Sequence, residues 1–195
     1  MNVIIVASGP SARGFRPPDG LTVIAVNGAI DWLSRADYWF TLDPSPANIR
    51  RMKERRPGVH YCAAVPPETE LPSGVVRFER VASDGPVPRD PRTPGEWLRR
   101  WGAVPGLSIN PNTIHTGNSA YGALGLAYHL GAHKAALVGV DATSEDRIEG
   151  GTSGNLSHLP LLFASAMDQM DIVSCGRLTG VPQMSIAEGM AWLMI

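Results

Sequence analysis

The residues Val3-Ile4-Ile5-Val6-Ala7 form an unbroken apolar run that stops abruptly at Ser8-Gly9-Pro10-Ser11. A short run without alternation reads as a strand buried on both faces, as in a parallel sheet covered by helices. Such a sheet also dictates where ligands bind, outside the carboxyl ends of its strands. The pattern recurs along the chain. Thr22–Val26 ends at Asn27-Gly28, and Tyr38–Leu42 ends at Asp43-Pro44-Ser45. Val59–Ala63, Val75–Phe78, Ala135–Val138 and Asp171–Ser174 read as further strands. Helices are expected between them. They fall over Ala29–Ser34, over Pro46–Arg56 with an early proline as its start signal, and from Thr116 to Leu130 with Gly131 as its stop. Two more are expected over Pro160–Gln169 and Ser185–Met194. Strands alternating with helices predict an α/β fold with parallel pairing and right-handed crossovers. With 195 residues, 44% of them hydrophobic, the chain is read as a single Rossmann-like domain over 1–195.

One stretch breaks the alternation. Ala82–Asn112 carries Pro86, Pro88, Pro91, Pro94, Pro105 and Pro111, and only Pro94–Trp101 reads as a helix. Loops of this length in compact domains tend to be functional, so 82–112 is expected to be a lid or insertion over a site. Its Trp97 and Trp101 would serve that lid, or a contact between copies in a homo-oligomer.

Composition narrows the function. A formal net charge of -1 argues against stable binding to nucleic acid through its phosphates. The basic cluster Arg50–Arg56 reads as a solvated helix face. Cys62 and Cys175 lie far apart, without metal-ligand spacing, and are read as buried free thiols. No apolar stretch reaches the length of a membrane span, and Met1–Val6 lacks the basic start of a signal peptide. A soluble, cytoplasmic protein is therefore expected.

The candidate site follows from the strand ends. Gly9 lets a ligand approach the backbone, while Ser8 and Ser11 offer hydroxyls. The loop lacks the glycines of the dinucleotide fingerprint and the lysine of the P-loop, which disfavours both chemistries. Asn27 ends the neighbouring strand. Thr116-Gly117-Asn118-Ser119 opens the most regular helix, with Thr116 as its expected N-cap and its amides available to an anion. Asp141 follows Gly139-Val140 at another strand end, placed to bind a ribose hydroxyl, a metal or a substrate, or to cap the next loop. His158 stands at a loop–helix junction, where it suits a general base. Glu145–Asn155 reads as a polar, glycine-rich loop.

In order along the chain, Ile4–Ser11, Val26-Asn27, Thr116-Gly117, Val138–Asp141 and His158 resemble the bacterial lipo-oligosaccharide sialyltransferases and related small phage-encoded proteins. The resemblance implies a Rossmann-like domain with a lid that uses CMP-sialic acid. It implies that Gly9, Pro10 and Ser11 form the nucleotide loop, and that Asn27 contacts the nucleotide or its phosphate. Thr116 and Gly117 would flank the donor, and His158 would deprotonate the acceptor hydroxyl. The chain departs from the pattern at Ser8, where those enzymes carry asparagine. Its tyrosines, Tyr38, Tyr61, Tyr121 and Tyr128, all lie outside 82–112. Stabilisation of the leaving phosphate would then pass to His115, Arg99 or Arg100.

Three readings follow. The first is a glycosyltransferase moving a sugar from a CMP-type donor to an unnamed acceptor hydroxyl, without a required cofactor or bound metal. The second is Mg2+-dependent phosphoryl or pyrophosphoryl transfer, as in pterin pyrophosphokinase-like proteins, with Asp43 and Asp141 as carboxylates. The third is a non-catalytic nucleotide-binding accessory protein.

Overall fold

A computed structural model describes residues 1–195. Its centre is a seven-stranded, wholly parallel sheet. The strands are β1 (Asn2–Val6), β2 (Thr22–Val26), β3 (Tyr38–Thr41), β4 (His60–Ala63), β5 (Val76–Arg77), β8 (Lys134–Val138) and β9 (Asp171–Ser174), in the spatial order β5-β4-β3-β2-β1-β8-β9. Two further strands, β6 (Glu79–Val81) and β7 (Thr113–His115), form a separate parallel pair. The helices are α1 (Ala29–Trp32), α2 (Pro46–Lys53), α3 (Pro94–Arg100), α4 (Ser119–His129), α5 (Leu159–Ala164) and α6 (Ile186–Leu193). The fold is the expected α/β, Rossmann-like one.

The continuous apolar runs are explained by burial on two sides. Val3, Ile5, Ile24 and Phe40 pack with α4 and α5 in one core. Ile4, Val6, Val23 and Trp39 pack with residues of α1, α2 and α6 in the other. Trp39 and Phe40, adjacent in β3 and pointing to opposite faces, are both 0% exposed. Both cysteines are buried free thiols, and burial pushes each up to about 11.

The strand order places the ligand crevice. From β1 the chain steps outward through β2, β3 and β4 to β5, then returns to add β8 and β9 on the other side of β1. The order therefore reverses between β1 and β8, where doubly wound sheets open a crevice at their carboxyl ends. The two loops there are clamped together. Ala7 N donates to the Val138 carbonyl at 2.9 Å, and Gly9 N to the Gly139 carbonyl at 2.8 Å.

Several expectations are corrected. The strand expected over Val75–Phe78 lies in the main sheet as β5, and a second strand that was not expected follows it directly. Phe78 N still donates to Ala63 in the main sheet, but Glu79 N donates to Asn112, so the chain changes sheets at this point. The new strand β6 pairs with β7, which brackets 82–112 between two paired strands. Within that segment the Thr93-x-x-Glu96 capping box starts α3. Thr116 does not cap α4. Asn118 does, its side chain accepting from Ala120 N at 2.8 Å. The helix α4 has no single apolar face, because every residue from Ser119 to Ala127 is buried. The helix lies against β1, β2 and β3 on one side and β7 on the other, so it has almost no solvent face. Gly122 and Gly125 permit this, since a Cβ at Gly122 would stand 2.6 Å from Phe40 Cε1. The helix expected over Pro160–Gln169 is shorter, ending at Ala164.

Candidate functional site

A cleft of about 400 Å³ opens at the carboxyl ends of β1, β2, β3 and β8. Of the expected residues, Ser8, Gly9, Pro10, Asn27, Gly117, Asn118, Asp141 and His158 line it together. Ser11 and Thr116 do not. Thr116 is fully buried and donates its hydroxyl to the Gly102 carbonyl, tying 82–112 to β7. Ser11 stands behind Asp141.

Asp141 is occupied by the protein itself. Its Oδ2 accepts from Ser11 N at 2.9 Å, and its Oδ1 accepts from Ser11 Oγ at 2.7 Å and Arg177 N at 2.8 Å. Gly9 and Gly176 give it room, because a Cβ on either would come within 2.5 Å of a carboxylate oxygen. The carboxylate thus braces the ends of β1 and β8. Asp141→Asn puts an amide hydrogen where donors point inward. It is expected to cost about 2 kcal/mol, the penalty of unpaired buried donors, read as a lower urea midpoint.

Asn27 is the one non-glycine residue with positive φ, at 50°. That backbone is held by Trp39 Nε1, which donates to the Asn27 carbonyl at 2.8 Å. Its Oδ1 accepts from Thr41 Oγ1 at 2.7 Å and Asn48 Nδ2 at 3.2 Å. Thr41 and Asn48 are buried, so a polar cluster beneath the cleft orients the Asn27 side chain. Asn48 gave no signal at the sequence level, because it sits inside an ordinary amphipathic helix.

His158 precedes α5 and is 1% exposed. Its Nε2 lies 3.0 Å from the Gly117 carbonyl. A carbonyl only accepts, so Nε2 carries the proton and Nδ1 holds the lone pair. Nδ1 has no partner in the protein. Burial pulls the imidazole below its ordinary value of 6.5, partly opposed by the bond to Gly117. Trp101 stacks on the ring at 6.3 Å between centroids and 29° between planes.

The cleft is lined in large part by 142–157, which contains the polar, glycine-rich loop expected over Glu145–Asn155. Ile148 N donates to the Ser8 carbonyl at 2.9 Å, and Ser153 Oγ to the Thr143 carbonyl at 2.9 Å. Trp101 Nε1 donates to the Asn155 carbonyl at 3.1 Å. Thr143, Glu145, Arg147, Glu149 and Ser153 therefore stand in the cleft wall. From 82–112 only Trp101 reaches it. His115, Arg99 and Arg100 do not, and His115 Nδ1 is bonded to the Gly106 carbonyl at 2.7 Å.

Asp43 lines the cleft too, its carboxylate accepting from Ser45 N and Asn48 Nδ2. Both oxygens of Asp141 are engaged, and no group of three His, Cys, Asp or Glu side chains stands together to hold a metal ion. No helix is long and apolar enough to cross a membrane.

No family model matches the chain. No curated protein matches it either. Among solved structures, the chain is similar to the MAf glycosyltransferase from Magnetospirillum magneticum AMB-1, with a TM-score of 0.59 at 16% identity. The match covers 99% of this chain and 37% of that one, so the chain spans little more than a third of its neighbour. At this identity the likeness is one of fold.

Proposed function

We propose that the chain is a glycosyltransferase that holds a nucleotide-sugar donor in the crevice between β1 and β8, with His158 as general base. One observation carries this reading. Three buried polar atoms without a partner, Ser8 Oγ, Thr143 Oγ1 and His158 Nδ1, belong to residues lining this one cleft. Each such atom costs about 1–3 kcal/mol unless a ligand pairs with it. A nucleotide sugar offers hydroxyls and phosphate oxygens for Ser8 and Thr143. The acceptor hydroxyl offers its proton to Nδ1. The glycosyltransferase named among similar folds agrees with this reading.

The charges favour a donor with one phosphate. The cleft wall carries Asp43, Asp141, Glu145 and Glu149 against Arg80 and Arg147. Asp141 is satisfied internally, and Glu145 is paired with Arg177. The amino end of α4, at Ser119, adds the positive end of the helix dipole. One phosphodiester charge is well matched by these groups. A diphosphate would set a second charge among the carboxylates. This agrees with the CMP-type donor that the sialyltransferase resemblance implies.

The test is thermal unfolding with CMP, UDP, GDP and ATP, each with and without Mg2+. At a hundred times its dissociation constant, CMP is expected to stabilise the fold by about 2.7 kcal/mol without metal. For a chain of this size that is a rise of about 5–10 °C. Stabilisation by ATP and Mg2+ alone would replace this reading with phosphoryl transfer. No response to any nucleotide would remove it, and CMP binding without donor turnover would leave an accessory nucleotide-binding protein.

A further inference from the structure

Departure of the nucleotide leaves negative charge on its phosphate, which calls for a full cation not already spent on the chain. Two arginines line the cleft. Arg80 uses its guanidinium on the chain, donating to the Leu42 carbonyl at 3.0 Å. Arg147 makes no side-chain hydrogen bond, and it is absent from the four ion pairs, Arg35–Asp37, Arg51–Asp31, Arg92–Asp90 and Arg177–Glu145. Glu149, two residues on, leaves it free, because its carboxylate packs over Gly28.

The backbone beneath Arg147 is fixed. Arg147 N donates to the Gly151 carbonyl and Gly150 N to the Arg147 carbonyl, each at 3.0 Å, closing a tight turn. The next residue, Ile148, is the one bonded to Ser8. The backbone that carries this unspent side chain is thereby anchored beside the loop that ends β1, the loop nearest the switch point of the sheet.

We propose that Arg147 is a catalytic residue that grips the phosphate of the departing nucleotide, so that 142–157 completes the donor site. The proposal rests on the nucleotide-sugar reading. In the transfer, the bond between the anomeric carbon and the phosphate oxygen breaks, and its electron pair leaves with the phosphate. The acceptor oxygen forms the new bond to that carbon, and its proton passes to His158 Nδ1. Negative charge grows on the phosphate during this step. A guanidinium fork meets two of its oxygens with charge-assisted hydrogen bonds, a geometry that a lysine ammonium does not reproduce.

Calorimetry with CMP and with cytidine separates this role from others. Arg147→Ala is expected to weaken CMP by roughly tenfold or more and to leave cytidine unchanged, because only the phosphate contact is lost. Arg147→Lys should recover part of the CMP affinity. Arg99→Ala, outside the cleft, should change neither. With a CMP-sugar as donor and water in place of the acceptor, Arg147→Ala should lower turnover by about a hundredfold, the scale of losing one preorganised charge stabiliser. If CMP binds the wild type but Arg147→Ala weakens CMP and cytidine equally, or weakens neither, Arg147 is not the phosphate ligand and the donor reading stands without it. If the wild type binds neither, the donor reading falls and takes Arg147 with it.

Discussion

Changing His158 to alanine is expected to lower sugar transfer by about two to four orders of magnitude, the usual contribution of a positioned general base, with nucleotide affinity nearly intact. The geometry makes the roles of the two nitrogens distinct. Nε2 is committed as a donor to the Gly117 carbonyl, so the basic lone pair is on Nδ1. Burial beside Trp101 keeps the ring neutral to lower pH than a free imidazole. The acid limb of the activity profile should therefore fall below pH 6.5. The same depression has a stability consequence of fixed sign. The folded-state value lies below the unfolded one, so the stability linked to His158 is complete above the unfolded value of about 6.5 and is lost as pH falls through the lowered one. Chemical denaturation across that window should show this slope in the wild type and a smaller one in His158→Gln. Glutamine can still donate to Gly117 but supplies no base, so this variant separates folding from chemistry. Wild-type transfer by His158→Gln would remove the imidazole from the proton step.

The central sheet was legible in the sequence because its signals are local. Val3–Ala7, Thr22–Val26 and Ala135–Val138 are apolar throughout, and each stops at residues that cannot continue a strand. The expected bounds of β2 agree with the structure, those of β1 are shifted by one residue at both ends, and β8 starts one residue earlier than expected. Eight of the ten predicted site residues also reach one cleft, since strand ends in a doubly wound sheet converge whatever lies between them. The rest depends on contacts distant in sequence. Nothing in Glu79-Arg80-Val81 marks a strand until Thr113–His115 pairs with it. Thr116 has the chemistry of an N-cap, but its hydroxyl is taken by Gly102, and the helix starts later. Asp141 has the chemistry of a ligand, but Ser11 and Arg177 consume it. The loop 142–157 looks like an ordinary connection, because polarity and glycine content do not say that it folds back onto Ser8.

Gly139→Ala should be among the most damaging single substitutions in the chain, although it adds only one methyl group. Gly139 has φ 69°, a conformation that disfavours any side chain. Its missing Cβ would overlap the Ala7 carbonyl and stand 2.7 Å from Ala12 Cβ. The left-handed backbone costs alanine about 1–2 kcal/mol, and overpacking adds about 1–3 kcal/mol. The overlapping atom is backbone, so no rotamer change can relieve it. Movement would have to break the bonds from Ala7 N to Val138 and from Gly9 N to Gly139, which join β1 to β8 across the switch point. A loss of about 3 kcal/mol lowers Tm by roughly 10 °C in a domain of this size. Gly131→Ala is the matched control. Gly131 has a similar φ of 82°, but nothing lies within 4 Å of its missing Cβ. It should show only the backbone cost, and the difference between the two melting temperatures isolates the collision. Because Gly9 stands on the same clamp, Gly139→Ala should also weaken CMP binding at temperatures where the variant is still folded, whereas Gly131→Ala should not. Equal melting temperatures for the two variants would mean that the β1–β8 junction yields to a methyl group, and that the crevice is softer than its hydrogen bonds imply.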